Sequence, residues 1–375
     1  MKKFFALILA LLMVLSLVAC GQEAAPADEG GEEVEEEATG LKICFISSSG
    51  SDDGNFTQNC YEGAKAFVDA HPDCTLADIK QPDMEKLIPN VDELVADYDV
   101  FVLPGFNFAA IGDIAEANPD KYFIVVDSTI TSAAGDPMTL DNVFTMTFAE
   151  HQSAFPVGVA AALNSASGKV AVVNGIAFPS NVNYQYGFMA GVQYANKVLG
   201  TSVECVEIDS YAGTDVLGNA VGGNYIGDFA DEATGKVVGK ALIDQGVDVL
   251  FAAAGASGNG VMAAAKEAGV LFIGCDVDQS KDCPDICLTS TLKIMDANVQ
   301  LQLEKIYDGS FVGEDGYLDC NNNGVGYVSE SGHCLLDADM IAKIDEAFAL
   351  VQSGEIVLPA DATVNEYTPA DYPGK

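Results

Sequence analysis

The sequence predicts an α/β protein in which parallel sheets form two similar lobes. Short apolar runs of strand length alternate with longer segments of helix-forming residues from about residue 41 to residue 352. This alternation is typical of parallel sheets that are covered by helices on both faces. The predicted strands are numerous, which favours two lobes over one large sheet.

The unit formed by residues 247–279 shows this pattern most completely. Its first apolar run, Val247–Ala253, is too short for a stable helix and has the composition of a strand buried on both faces. A glycine-rich turn is predicted next, followed by a helix over residues 261–268 that ends at a glycine. A second apolar run then leads to Asp276. Because ligands of open α/β sheets bind at the carboxyl ends of the strands, Gly255 and Asp276 are predicted to face a binding crevice.

The glycine-rich segment, GASGNG at residues 255–260, allows two interpretations. It matches neither the dinucleotide-binding pattern nor a P-loop, since no Lys followed by Ser or Thr comes after it. Gly258 and Gly260 either contact a ligand or only make a tight turn and let a helix pack on a strand. Gly255 lies nearest the strand end and is the better candidate for a ligand contact.

The other elements are assigned in chain order from two signals, short apolar runs for strands and periodic apolar positions among helix formers for helices. Strands are predicted at residues 41–47, 74–79, 100–103, 122–126, 143–148, 169–173, 202–208 and 288–290. Helices are predicted at residues 56–70, 83–96, 109–117, 152–163, 184–198, 230–245, 294–306 and 337–352. The last helix is amphipathic, with Ile341, Ile344, Phe348 and Val351 on one stripe.

The charge of the chain argues against one class of partner. The 375 residues include 56 acidic and 17 basic side chains, for a formal charge of −39, and every basic residue is a lysine. Without arginine, the chain has no guanidinium group to bind a phosphate in a bidentate manner. A surface of this charge repels nucleic acids, so no nucleic-acid partner is expected.

Residues 1–40 are predicted to be a leader and a tether outside the fold. Two lysines precede an apolar run, and residues 17–21 read LVACG, which resembles the lipobox of bacterial lipoproteins. The resemblance implies a signal peptide at residues 1–19 and lipid attachment to Cys20. The alternative is a single membrane helix, which the shortness of the apolar run disfavours. Residues 20–40 carry eight acidic side chains and no basic one, which predicts an extended acidic tether.

Nine cysteines remain after Cys20, an odd number that cannot all pair. Three lie in apolar runs and are predicted to pack as small hydrophobic side chains: Cys44, Cys205 and Cys275. Four lie in loop-like sequence and form two candidate disulfide pairs, Cys283 with Cys287 and Cys320 with Cys334. Their spacings match no common zinc finger, so no metal site is predicted.

Several blocks of the chain, in order, resemble one family. They are residues 51–63 (SDDGNFTQNCYEG), 98–106 with 123–128, 187–191 (GFMAG), 253–260 with 273–279, and 289–293 (TSTLK). Together they are similar to the basic membrane protein type of substrate-binding lipoprotein, which includes the purine nucleoside receptors of ABC transporters. The blocks span residues 41–359, nearly all of the chain after the leader and tether.

The resemblance implies a type I periplasmic-binding-protein fold, with two doubly wound lobes, a ligand cleft between them and three crossings of the chain. By analogy, lobe 1 contains residues 41–148 and 277–312, and lobe 2 contains residues 149–276 and 313–365. It further implies a monomer that is lipid-anchored on the outer face of the cell membrane. Its partners are a nucleoside ligand and a membrane permease, with no cofactor.

The resemblance also implies roles for individual residues. Phe56 and Phe229 stack on the two faces of a base, and Asp127 accepts hydrogen bonds from its edge. Asp276 and Lys293 bind sugar hydroxyls. Both aspartates follow apolar strands, where a buried carboxylate needs hydrogen-bond donors, so the residues themselves agree with this assignment.

Two further residues, Asp53 and Gly255, are expected beside the ligand. For some of the site residues the sequence leaves a structural alternative open. Asp53 either contacts the ligand or caps the helix that follows it. Phe56 and Phe229 either stack on a base or fill the core, and Lys293 either reaches the ligand or is a solvated lysine at a helix start.

Thr57 departs from the family pattern, which usually has asparagine directly after the phenylalanine. A threonine offers a base edge a shorter hydroxyl in place of an amide, so the sequence does not rank adenine, guanine and hypoxanthine as ligands. A sugar or another small polar ligand stays open as the alternative.

Two other function classes compete with that of a binding protein for an importer. A nucleoside hydrolase needs a metal-binding carboxylate cluster or a poised base, and no recognised block carries one, so the chain is not predicted to be an enzyme. A ligand sensor for a membrane partner has the same sequence signals as an importer component.

Overall fold

The computed structural model describes residues 40–358. The predicted leader, Cys20 and the predicted tether up to residue 39 lie outside the described residues, as do residues 359–365 of predicted lobe 2. In the described range, no helix combines the length and the apolar character that crossing a membrane requires.

Strands and helices alternate as the sequence predicts. The strands are β1 Lys42–Ser47, β2 Thr75–Lys80, β3 Val100–Pro104, β4 Tyr122–Val126, β5 Ile130–Thr131, β6 Pro137–Met138, β7 Val143–Phe148, β8 Lys169–Asn174, β9 Glu204–Cys205, β10 Gly213–Thr214, β11 Ala220–Gly222, β12 Val249–Ala253, β13 Leu271–Gly274, β14 Cys287–Lys293, β15 Glu314–Leu318 and β16 Val325–Tyr327. The α-helices are α1 Phe56–Ala70, α2 Leu87–Leu94, α3 Gly112–Ala117, α4 Glu150–Asn164, α5 Pro179–Tyr194, α6 Glu232–Asp244, α7 Gly255–Ala268, α8 Asp296–Asp308 and α9 Ala338–Gln352.

The first sheet has the strand order β15–β7–β4–β3–β1–β2, and all its neighbours pair in parallel. Successive side chains of a strand point to opposite faces, so each strand feeds two cores. In β1, Ile43 and Phe45 pack in the core that contains Phe67 of α1, whereas Cys44 and Ile46 pack in the opposite core. This explains why the strands are apolar without alternation: both faces are buried.

The second sheet has the order β16–β14–β13–β12–β8–β9 and is parallel except for β16, which pairs with β14 in the antiparallel direction. Val170 and Val172 of β8 face the core beneath α4 and α5, and Ala171 and Val173 face the core beneath α6 and α7. The two sheets define two lobes, named here lobe 1 and lobe 2 after the first and second sheet. The predicted two-lobed α/β architecture is therefore confirmed.

The chain passes between the sheets after β7, after β14 and after β15. The expected boundaries differ from this at two strands. Residues 277–312 were assigned to lobe 1, but β14 pairs with β13 in the second sheet. Residues 313–365 were assigned to lobe 2, but β15 pairs with β7 in the first sheet. Which sheet β14 or β15 joins depends on where the backbone N–H and C=O groups of a neighbouring strand are unpaired. The residues of the two strands themselves do not determine this.

The glycine-rich segment of residues 255–260 is not a turn, because α7 begins at Gly255. A Cβ atom at Gly260 would lie 1.9 Å from the carbonyl oxygen of Glu232, at the start of α6. Gly235 of α6 meets α7 in the same way, since a Cβ there would lie 2.0 Å from the carbonyl oxygen of Ser257. Of the two interpretations, Gly260 therefore supports the structural one: its missing side chain lets α7 pack closely against α6.

All nine described cysteines are free thiols, so neither candidate disulfide is present. The Cys283 thiol donates to the carbonyl oxygen of Gln279 at 3.5 Å, and the Cys334 thiol donates to that of Glu330 at 3.5 Å. The Cys283 thiol is also hydrogen-bonded to the thiol of Cys287, so these two sulfurs are neighbours without a covalent bond. As predicted from their apolar surroundings, Cys44 and Cys275 are buried, while Cys205 is half-buried.

Candidate ligand-binding cleft

A cleft lies where the carboxyl ends of strands from both sheets meet. Residues 48–57, 104–107 and 127 come from the segments that follow β1, β3 and β4 of lobe 1. Lobe 2 contributes the segments that follow β8, β12 and β13, and the last residue of β14. All eight residues proposed from the sequence line this one cleft: Asp53, Phe56, Thr57, Asp127, Phe229, Gly255, Asp276 and Lys293. Their roles toward a ligand stay predictions.

Asp127 follows β4 directly and has a φ angle of 67°. That left-handed conformation is uncommon for a residue other than glycine, and it costs on the order of 1–3 kcal/mol. The carboxylate oxygen Oδ1 lies 2.5 Å from the Lys293 ammonium nitrogen, and Ser180 donates a second hydrogen bond to the carboxylate. Burial raises the pKa of Asp127 to about 6, against the opposing effect of the Lys293 charge.

Lys293 ends β14 and is buried, with 1% of its side chain exposed, so it is not a solvated lysine. Its ammonium nitrogen also lies 3.0 Å from Oε1 of Glu150, whose second oxygen accepts from Asn183 at 3.1 Å. Burial by itself lowers the pKa of the Lys293 ammonium, but Asp127, Glu150 and Asp276 outweigh that effect and raise the pKa above its ordinary value. Lys293 is therefore charged throughout the physiological range.

Aromatic rings surround this ammonium group. Its nitrogen lies 5.0 Å from the ring centroid of Phe148, 5.3 Å from that of Phe56 and 5.8 Å from that of Tyr184. Distances of this size allow favourable cation–π interactions, which help a lysine to stay charged away from water. Phe56 thus contacts Lys293 as well as the hydrophobic core, against which it also packs.

Asp276 follows β13 and also has a φ angle of 67°. Its Oδ1 accepts a hydrogen bond from the Tyr184 hydroxyl at 2.6 Å, and its backbone N–H donates to Thr291 at 3.1 Å. Burial raises the pKa of the Asp276 carboxyl, while the charge of Lys293 and the Tyr184 hydrogen bond oppose the rise. The sequence analysis did not identify Tyr184, because no local pattern shows that a helix tyrosine reaches a strand-end carboxylate.

The Asp53 carboxylate caps α1. It accepts from the backbone N–H groups of Asn55 at 3.0 Å, Thr57 at 3.1 Å and Gln58 at 2.9 Å. These are the donors that a helix start leaves without intrahelical partners. Of the two interpretations, capping therefore describes what this carboxylate does in the described structure. The Thr57 hydroxyl is 2.8 Å from that of Ser49 and is likewise engaged within lobe 1.

Aromatic side chains form a row along the cleft. Phe229 is half-buried, and its ring centroid lies 5.8 Å from that of Phe178, which in turn lies 5.1 Å from that of Phe106. Phe106 comes from lobe 1 and the other two come from lobe 2, so the row crosses between the lobes. Phe106 and Phe178 were missed from the sequence, although both follow an apolar strand closely, which is the signal that could have identified them.

Gly255 brings the two lobes together through its backbone. Its carbonyl oxygen accepts from the Asn55 side chain of lobe 1 at 3.1 Å, and Gln279 of lobe 2 donates to the same Asn55 at 2.8 Å. Gly255 has a φ angle of 52°, and a Cβ atom there would lie 3.1 Å from the carbonyl oxygen of Phe229. The conformation and the tight space both explain glycine at this position.

The groups that line the cleft suit recognition of a polar, uncharged ligand with an aromatic part. Asp127 and Asp276 accept hydrogen bonds, the lysine donates them, and the phenylalanines offer flat apolar faces. The buried carboxylates outnumber the ammonium, which disfavours anionic ligands. Within residues 40–358, no group of three or more His, Cys, Asp or Glu side chains is placed to hold a metal ion.

Comparison with known proteins agrees with this architecture. The family model described as "ABC transporter substrate-binding protein PnrA-like" (Bmp) matches residues 41–212 and 220–360. The chain belongs to the Bmp family. The resemblance predicted from the motif blocks is thereby confirmed. Proteins of this family bind a substrate without transforming it, as predicted, and they act with the permease of an ABC transporter.

Individual relatives cover almost the whole chain. The "CD4+ T-cell-stimulating antigen" of Listeria innocua is 26% identical in an alignment of 384 positions, gaps included, that covers 96% of this chain and 99% of the relative. The "ABC transporter nucleoside-binding protein BmpA" of Lactococcus lactis subsp. cremoris is 26% identical over 339 residues, covering 81% of this chain and 84% of the relative.

A solved structure shows the same fold. An ABC transporter solute-binding protein from Aeropyrum pernix K1 has a TM-score of 0.73 and 23% identity, covering 85% of this chain and 93% of its own. This likeness and the two parallel sheets confirm the predicted type I periplasmic-binding-protein fold.

Proposed function

We propose that this protein is an extracytoplasmic, lipid-anchored binding protein that captures a purine nucleoside between its lobes and delivers it to an ABC permease. The observation that carries the proposal is one cleft that combines half-buried phenylalanine rings with a buried Asp127–Lys293 pair and the Asp276 carboxylate. Flat π-faces suit a base, and the Asp127 carboxylate suits hydrogen-bond donors on the base edge. The Asp276 carboxylate and the Lys293 ammonium suit ribose hydroxyls. A monomer is sufficient for this function.

Two further observations support the proposal. A relative that matches this chain over 84% of the relative's length carries the name nucleoside-binding protein. The sequence of residues 1–40 resembles the leader, lipobox cysteine and acidic tether of a lipoprotein. Nucleoside recognition also fits the charge of the cleft, because a nucleoside is neutral whereas a nucleotide would bring phosphate toward several carboxylates.

Substitution of the aromatic residues tests the base. Stacking on an aromatic side chain is worth about 1–3 kcal/mol per base, so Phe56→Ala and Phe229→Ala should each weaken nucleoside binding roughly 5- to 150-fold. Replacement by tyrosine should retain most of the affinity, because its ring also stacks. Calorimetry with inosine, guanosine and adenosine measures this, and the melting temperature of each unliganded variant shows whether its core is intact.

The same experiment tests the alternative that the ligand is a sugar or another small polar molecule. If nucleosides bind the wild type weakly or not at all, or if binding survives both alanine substitutions, the base-stacking role is wrong. Mass spectrometry of small molecules released from the purified protein then identifies the ligand class. Recovery of a sugar in place of a nucleoside would replace the nucleoside proposal.

The lipid anchor has a separate test. Metabolic labelling with an alkyne fatty acid should tag the full-length protein, and Cys20→Ala should abolish the label because the thiol that accepts the lipid is gone. Label that persists in the Cys20→Ala variant would contradict the lipoprotein assignment. Deletion of the gene for this protein distinguishes an importer from a sensor: nucleoside uptake is lost with an importer and retained with a sensor.

A further inference from the structure

The polar side chains that line the cleft are nearly all engaged with protein partners. Asp127 pairs with Lys293, Asp276 with Tyr184, and Thr57 with Ser49. Asp53 caps α1, Ser180 donates to Asp127, and Asn181 donates to the carbonyl oxygen of Ala253 at 2.7 Å. In the described part of the chain, Ser48 and Asn107 are the cleft-lining polar side chains that make no hydrogen bond or ion pair.

Asn107 is placed at the cleft by a sharp turn at the end of β3. Gly105 has a φ angle of 113°, which an L-residue with a side chain adopts only with strain, and its N–H donates to the carbonyl oxygen of Val126 at 2.9 Å. A short 3₁₀ segment, Phe106–Ile111, starts from this turn. Asn107 therefore follows Phe106, the first ring of the aromatic row, and lines the cleft at the same edge of the lobe 1 sheet as Asp127.

Asn107 is half-buried. Closure of the cleft on a ligand removes water from its amide, and a buried amide without partners costs free energy. The ligand must then supply both a donor and an acceptor in one plane, because the amide carries a carbonyl oxygen and an NH₂ group side by side. Ser48 makes no such demand, since a single hydroxyl rotates to suit one partner.

We propose that Asn107 determines base specificity by pairing with the edge of the purine that carries the 6-substituent. In adenine and hypoxanthine, every edge that offers an adjacent donor and acceptor includes position 6: the 6-amino group with N1 or N7 in adenine, and the 6-oxo group with N1–H in hypoxanthine. In protein–DNA complexes, asparagine pairs with the adenine edge in this bidentate manner. The inference rests on the proposed nucleoside function and adds to it a second residue, besides Asp127, that contacts the edge of the base.

The test compares adenosine and inosine with purine riboside, which has hydrogen at position 6. The wild type should bind the two natural nucleosides roughly 5- to 150-fold more tightly than purine riboside. In Asn107→Leu, a substitution of similar size, this preference should fall to within about threefold, and affinity for purine riboside should stay near the wild-type value. The control is Asn321→Leu, which makes the same change at an exposed position outside the cleft and should leave the preference intact.

A second variant covers the case in which leucine disturbs the fold. Asn107→Asp keeps the shape but offers only acceptors, so adenosine, with its 6-amino donor, should be retained better than inosine, whose 6-oxo group is repelled. Binding of no nucleoside to the wild type overturns the proposed function itself. Binding of nucleosides with an unchanged preference in both Asn107 variants leaves the proposed function standing and overturns the role of Asn107.

Discussion

Each lobe contributes a buried strand-end aspartate to the cleft, but the two aspartates have different partners. In each lobe an aspartate follows a parallel strand, has a φ angle of 67° and is shielded from water, Asp127 in lobe 1 and Asp276 in lobe 2. The partner of Asp276 is Tyr184, on α5 of the same lobe. The partners of Asp127 are Lys293 and Ser180, which both belong to lobe 2.

This difference assigns the two half-sites separate tasks. The Asp276 half-site is complete within lobe 2 and is oriented for a ligand whether or not the lobes close. The Asp127 half-site obtains its compensating charge from the other lobe, so it is complete only when lobe 1 and lobe 2 approach. A ligand that contacts both Asp127 and Lys293 would therefore couple binding to hinge closure.

The largest expected effect comes from removing the shared cation. Lys293→Met leaves Asp127 and Glu150 buried without their counter-ion, and breaking a buried pair in this way costs about 3–5 kcal/mol of the free energy of unfolding. Chemical denaturation measures the loss. The matched control is Lys236→Met, because Lys236 pairs with Glu267 at the surface, where an ion pair contributes little. A stability equal to that of the control would contradict a structural role for Lys293.

The next effect separates the two aspartates. Asp127→Asn and Asp276→Asn should each weaken ligand binding by about 1.5–3 kcal/mol, because each removes a charged hydrogen-bond acceptor. Only Asp127→Asn should also increase the radius of gyration of the unliganded protein in solution scattering, since it alone weakens a contact between the lobes. Equal scattering profiles for both variants would show that the Asp127–Lys293 pair does not hold the lobes together.

A smaller effect is expected from pH. Asp127 has a pKa of about 6, above its unfolded value of about 3.9, so between these values the folded protein binds a proton that the unfolded chain does not. This group therefore adds to the free energy of unfolding as the pH falls from 6 toward 4, and its contribution is lost as the pH rises through 6.

Ligand affinity should change in the opposite direction. Protonated Asp127 accepts fewer hydrogen bonds, so wild-type affinity should fall at most tenfold per pH unit below about pH 6. Calorimetry between pH 7 and pH 5 measures this. The pH dependence of affinity should be weaker in Asp127→Asn and should persist in Asp276→Asn. If it is lost only in Asp276→Asn, the titrating group is Asp276 in lobe 2 and this prediction is wrong.

The smallest expected effect concerns Glu150, whose negative charge contributes to the raised pKa of Asp127. Glu150→Gln keeps a hydrogen-bond acceptor for Lys293 and removes the repulsion, so the pKa of Asp127 should fall. The pH at which affinity declines should then move to a lower value, while affinity at pH 7 changes little. A pH profile identical to that of the wild type would mean that Glu150 acts on Lys293 alone.

Much of the molecule follows from local sequence. Runs such as Val249–Ala253 are apolar because parallel strands are buried on both faces, and their length alone distinguishes them from helices. Gly255 and Asp276 were predicted to face a cleft because ligands of α/β sheets bind at the carboxyl ends of the strands, and both line it. Asp127 was assigned to the ligand by the family resemblance, and its position after an apolar strand agreed with that assignment. Periodicity and strand-end position are properties of a few neighbouring residues, so a sequence displays them directly.

What only the tertiary structure decided is which distant groups meet. Strands β14 and β15 join the sheets opposite to those expected, and the glycine at residue 260 admits a helix rather than forming a turn. Tyr184 reaches Asp276, and Lys293 reaches Asp127 from another lobe. Pairing at a sheet edge, packing between helices and compensation of buried charge depend on groups far apart in the chain. Their free energies are set by the assembled fold, and no local pattern records them.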